Sequence, residues 1–148
     1  MDLLTFLTTW LLATSAMTIF SYAIYAITKN EVREPVLLSK LLKGSTPENN
    51  SRSPKIILGW IGHYSIGIIF LLLYEATWLI AGLERNFIYG LIFGIVAGGL
   101  GVIGWIVLFT ISSEPPKIRY SLFFSQLIAA HIVFSLTAVW AANCIPII

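Results

Sequence analysis

The chain has 148 residues, of which 57% are hydrophobic and 11% charged, and its mean hydropathy is +0.87. Average soluble domains carry roughly 25% charged residues, and a soluble fold of this size cannot hide so much apolar surface. These numbers exclude a disordered chain, a nucleic-acid-binding module and an ordinary soluble enzyme, and they point to an integral membrane protein.

Four apolar runs predict four transmembrane helices, at about residues 3–28, 56–82, 87–112 and 121–147. Each exceeds the ~20 residues that cross a ~30 Å hydrocarbon core. In lipid the backbone must satisfy its own hydrogen bonds, so each run reads as a helix. The first run follows Asp2 with no Lys or Arg before it and is too long for a signal-peptide core, so it is expected to be retained. The expected fold is therefore an all-α membrane bundle of four transmembrane helices forming a single domain over residues 1–148.

Connection 29–55 carries Lys29, Arg33, Lys40, Lys43, Arg52 and Lys55. Lys117 and Arg119 lie in or beside connection 113–120, and Arg85 alone lies between the second and third runs. This asymmetry places loops 29–55 and 113–120 in the cytoplasm and both termini outside. Within the first loop, Pro35 near a helix start, Gly44 at its end and Leu37, Leu38, Leu41 and Leu42 at helical spacing predict a short amphipathic helix. It is expected either to lie on the inner membrane face or to pack on the end of the bundle. A polar linker, STPENNSRSP, follows; Asn49-Asn50-Ser51 fits a glycosylation sequon, which a cytoplasmic position makes a chance match. Cys144 is the one cysteine, so neither an intramolecular disulfide nor a cysteine metal cage is possible.

Gly90, Gly94, Gly98 and Gly101 form one stripe of the third run, with Gly104 beside it. Small residues at such spacing let helices approach closely, within the bundle or between copies. In the first run Thr14, Thr18, Ser21 and Tyr25 share a stripe, read as an interhelical bonding face with a polar cavity wall as the alternative. His63 and Glu75 lie in the second run, and His131 lies in the fourth, after Ser125 and Gln126. Ionisable residues inside a membrane are functional candidates by default. His63 falls eight residues after Lys55 and His131 twelve after Arg119, so on parallel helices their depths differ by about 6 Å. Such a pair can ligate one haem iron, join Glu75 in a proton or ion pathway, or serve as interhelical hydrogen-bonding groups, their commonest role. Gly62-His63 with Gly67 and Ala130-His131 with Ser135 also suggest a weak internal repeat of two helical hairpins.

The segments LLATSAMTIFSYAI, REPVLLSKLL, GWIGHYSIGIIFLLLY and GLIFGIVAGGLGVIGW resemble small four-helix bacterial inner-membrane proteins of unknown function. The resemblance spans the chain to about Trp105 and includes the REP tripeptide and His63. It implies a bacterial inner-membrane location and no particular activity.

The chain has no nucleophile–base pair, metal cluster or phosphate-binding glycine loop. The leading expectation is a non-enzymatic accessory or oligomeric membrane subunit, with the lipid bilayer, further copies or a membrane complex as partners and no nucleic acid. It needs no cofactor. The alternatives are a b-type haem or quinone-linked electron carrier using His63 and His131, and a small proton- or cation-coupled transporter or channel.

Overall fold

The computed structural model describes residues 1–43 and 54–144. Its described residues form five helices and no strand: α1 (Leu3–Thr28), α2 (Glu34–Lys43), α3 (Pro54–Ala81), α4 (Phe87–Ile111) and α5 (Tyr120–Cys144). All but α2 are long and apolar enough to cross a membrane. The sequon and most of the polar linker lie outside the described residues, as do the last residues expected in α5.

The helix ends follow from local chemistry. The Asp2 carboxylate caps α1 by accepting from the Thr5 N–H at 2.9 Å, and Asn86 caps α4 by accepting from the Tyr89 N–H at 3.0 Å. Lys29 closes α1 in the left-handed region (φ 55°) and donates its N–H to the Tyr25 carbonyl. Gly82, at φ +60°, follows the last residue of α3, where a side chain would be strained.

The bundle is sorted by side-chain size and polarity. Leu3, Ile19, Ile27, Leu79 and Ile80 face outward, while Thr9, Ala13, Thr14 and Ser21 are fully buried. Lipid is as apolar as leucine, so helices gain little by hiding large aliphatic groups and more by close contact through small ones. Helix α5 is the central element. It packs against both α1 and α4, whereas α3 packs mainly against α2. The hairpin repeat expected from the two histidine segments is therefore not reproduced in the packing: α4 and α5 pair closely, and α1 prefers α5 to α3.

The glycine stripe of α4 explains the α4–α5 contact. A Cβ on Gly94 would lie 2.6 Å from the Ile132 Cα, and one on Gly98 would lie 2.7 Å from the Ile128 Cα. A Cβ on Gly90 would reach Val139 at 3.0 Å, and the Gly90 carbonyl accepts from the Ser135 hydroxyl at 2.5 Å. Gly104 departs from the expected packing role, because a Cβ there would meet nothing within 4 Å.

Helix α2 is held tightly. Gly59 of α3 stands directly against Ser39 and the Pro35 carbonyl, leaving no room for a side chain, and Gly62 stands against Leu38. Glu34, Pro35, Leu37 and Ser39 are buried, and Lys40 and Leu42 are exposed. The connection from α1 is fastened by charge. Glu31 accepts from Arg33 at 2.8 Å and from Lys40 at 3.2 Å, and the Arg33 guanidinium lies 3.6 Å from the centre of the Tyr25 ring. Burial raises the Glu31 carboxyl, and Arg33 and Lys40 more than offset it, leaving the group below its ordinary value.

Candidate functional site

A cavity of about 200 Å3 lies inside the bundle, bounded by all five helices. Its walls are mostly apolar, with Phe70 and Trp105 among them. Four polar side chains reach it: Thr14 from α1, Glu34 from α2, His63 from α3 and His131 from α5. The two histidines therefore share one cavity. Gly101 and Gly104 form part of the same wall.

Glu34 is 3% exposed. Its carboxylate accepts from the Ser21 hydroxyl of α1 at 2.6 Å and from the Gln126 amide of α5 at 3.1 Å, and that amide also donates to Ser21 at 2.8 Å. One acidic residue thus ties three helices together. Burial pushes its carboxyl up to about 6, against the opposing pull of Ser21, its own backbone N–H and Gln126. The group therefore changes charge near physiological pH.

The hydrogen bonds fix the state of each imidazole. The Thr18 hydroxyl donates its proton to the Thr14 carbonyl at 2.7 Å, so it accepts from His63 Nε2, 2.9 Å away. His63 thus carries its proton on Nε2. His131 Nδ1 lies 2.8 Å from the Leu127 carbonyl, which can only accept, so His131 carries its proton on Nδ1. A second proton on either ring would add a buried N–H with no acceptor among the described residues, so both rings are neutral. His63 Nδ1 and His131 Nε2 remain bare acceptors. His131 Nε2 sits beside Gly101, where an added Cβ would be 3.2 Å away.

Thr14 completes the polar lining. It is fully buried, and its hydroxyl has no hydrogen-bond partner among the described residues. It stands directly against Gly67, which has no room for a side chain. The hydroxyl stripe of α1 is therefore both bonding face and cavity wall. Thr18 holds His63, Ser21 holds Glu34, and Thr14 is left for the cavity.

Glu75 takes no part. It is paired with Arg85 near the α3–α4 turn, at the opposite end of α3 from α2, and does not line this cavity. The acidic residue that does, Glu34, was not among the expected site residues. Its signal lay in the helical spacing of Glu34, Leu37, Leu38 and Leu41, which puts the carboxylate on the same side of α2 as these leucines. The two histidine environments also differ. His63 is bonded by a neighbouring helix and His131 by its own, so the repeated segments do not act as equivalents.

Among the described residues no group of three or more His, Cys, Asp or Glu is arranged to hold a metal ion. No protein-family model, curated protein or solved structure matches the chain. Function is therefore argued from the site itself.

Proposed function

We propose that the chain is a non-enzymatic multi-pass membrane subunit whose bundle holds a small, mostly apolar molecule in the cavity bounded by its five helices. The observation that supports this reading is the convergence of Thr14, Glu34, His63 and His131 on one apolar-walled space. A cavity of about 150 Å3 is already large enough to bind benzene. A space of this size with polar groups at its edge suits a ring-sized ligand with a polar rim. On this reading the charge asymmetry of the loops favours a cytoplasmic position for α2 and Glu34 with both termini outside, and the resemblance to small four-helix bacterial membrane proteins favours an inner-membrane location. On this reading α2 is an amphipathic helix that closes the cytoplasmic end of the bundle.

A second reading, a b-type haem or quinone-linked carrier, is favoured by the two bare imidazole nitrogens in a common cavity. Against haem, about 200 Å3 falls below the ~300–1,000 Å3 of usual cofactor-sized pockets. In the transporter reading, Glu34 replaces Glu75 as the carboxylate beside the histidines.

Detergent-purified protein should show no haem absorption, oxidised or dithionite-reduced. Its melting temperature should rise with added benzene in the wild type and not in Gly104→Leu. A reduced haem spectrum lost in both His63→Ala and His131→Ala would replace the first reading with the second. Absence of both a spectrum and a benzene effect would reject both.

A further inference from the structure

The bundle is not closed evenly around its cavity. At the α3–α4 turn the two helices meet through tilted aromatic rings: Trp78 lies 4.7 Å from Phe93, and Tyr74 lies 5.5 Å from Phe93, centre to centre. Toward α2 no aromatic contact joins them among the described residues, and the cavity occupies the space between. Ile66 of α3 and Leu100 of α4 both line it and remain 44% and 53% exposed. Gly104 lines it too, with no neighbour within 4 Å of an added Cβ. All three lie within membrane-spanning segments, so this side opens toward lipid rather than water.

The polar lining has a definite hydrogen-bonding sense. The hydrogen bonds leave His63 Nδ1 and His131 Nε2 as acceptors without protons. The Glu34 carboxylate is also an acceptor when charged. The Thr14 hydroxyl can serve either way; among the described residues it is one of three buried polar groups without a partner, with the Tyr74 hydroxyl and Gln126 Oε1. A ligand that only accepts hydrogen bonds would find one donor here and leave the imidazoles unanswered. A ligand that donates would answer them.

Building on the proposed cavity reading, we infer that the cavity selects a lipid-soluble hydroxylated aromatic, a phenol- or quinol-type ring on an apolar tail, admitted sideways from the bilayer between α3 and α4. The ring would lie between the apolar walls near Phe70 and Trp105. Its hydroxyl would donate to an imidazole nitrogen, and the tail would leave past Ile66 and Leu100.

The test uses 4-pentylphenol and its methyl ether, 4-pentylanisole, titrated into the full-length protein in lipid nanodiscs, with affinity read by equilibrium dialysis. The two probes differ in the donor proton and one methyl group. A net hydrogen bond is worth about 0.5–1.5 kcal/mol, so the phenol should bind up to about tenfold more tightly. Gly104→Leu should abolish binding of both, and His63→Phe should lower the phenol toward its ether. Equal affinities, both lost in Gly104→Leu, would overturn donor selection and leave the cavity reading standing. Tighter binding of the ether would overturn it too. Binding of neither probe, or binding indifferent to Gly104→Leu, would overturn both readings. The comparison of probes in the wild type stands even if a variant fails to fold.

Discussion

The α4–α5 and α1–α3 contacts are built on different plans. Helix α4 lies so close to α5 that Gly94 and Gly98 leave no space for a single methyl group against the backbone of Ile132 and Ile128. Helices α1 and α3 are joined by hydroxyls, imidazole and indole: Thr18 to His63, Ser15 to the Tyr64 hydroxyl at 3.0 Å, and the Trp10 N–H to the Tyr64 carbonyl at 2.9 Å. In a medium where burying leucine gains little, backbone approach and directional hydrogen bonds are the two means of association available. Backbone approach dominates the first contact, to which Ser135 and Gly90 add one hydrogen bond; hydrogen bonds dominate the second, with one close approach at Gly67 and Thr14.

Substitution of glycine breaks this contrast most sharply. Gly94→Leu should prevent the α4–α5 contact and yield no cooperative melt in detergent. Gly94→Ala should destabilise by about 1–3 kcal/mol, the usual cost of overpacking. Gly104→Ala, three turns along the same helix, should leave the melting temperature unchanged. Equal effects at the two positions would show that the stripe packs uniformly.

Next in size is the pH response of the polar side. The Glu34 carboxyl sits at about 6 in the folded chain against an ordinary 4.5. The folded state therefore holds that proton more tightly than the unfolded one. The Glu34 contribution to stability is full below about pH 4.5 and is lost as pH rises through about 6, by about 2 kcal/mol in all. The two buried neutral histidines give an opposite slope that wild type and Glu34→Gln share, so the melting temperature of the wild type should fall relative to that of Glu34→Gln across pH 4.5–7.5. Parallel profiles would mean that water reaches Glu34.

Smaller still is the loss of a single interhelical bond. Thr18→Val leaves the His63 Nε2–H without its acceptor and should cost about 0.6–1.7 kcal/mol, the range found for such bonds inside membranes. Nitrogen NMR of labelled histidine should then show the proton of His63 no longer held on Nε2, with His131 unchanged. The smallest effect is expected at Glu75. Its pairing with Arg85 lies at the helix end, where ion pairs contribute little. Glu75→Gln should shift stability by about 0.5 kcal/mol or less and leave ligand binding as it was. A large effect on binding would return Glu75 to the site.

Much of this was legible in the order of residues. Length and hydropathy specify four spans, because a helix is the one open-ended way for a segment to satisfy its backbone in lipid. Where an end falls inside the described residues it lies within one residue of that expected: Leu3–Thr28 for 3–28, Ala81 for the end at 82, Phe87–Ile111 for 87–112 and Tyr120 for the start at 121. The spacing of Gly90, Gly94 and Gly98 marks a face for close approach, and the positions of His63 and His131 give them similar depth. All of these are one-dimensional properties of single helices.

What only the tertiary structure decided is which faces meet. Hydropathy is nearly uniform around each span, so it does not say that α5 is central, that α1 prefers α5 to α3, or that the two histidines face one cavity. Nor does it choose between Glu75 and Glu34. Glu75 lies within a span yet pairs at its end with Arg85, while Glu34, in a charged connection outside every span, is carried inward. Its burial depends on Gly59 admitting α2 against α3, and on Ser21 and Gln126, 105 residues apart in sequence, arriving together to receive its carboxylate. Such a convergence is a property of three helices at once, and no single helix encodes it.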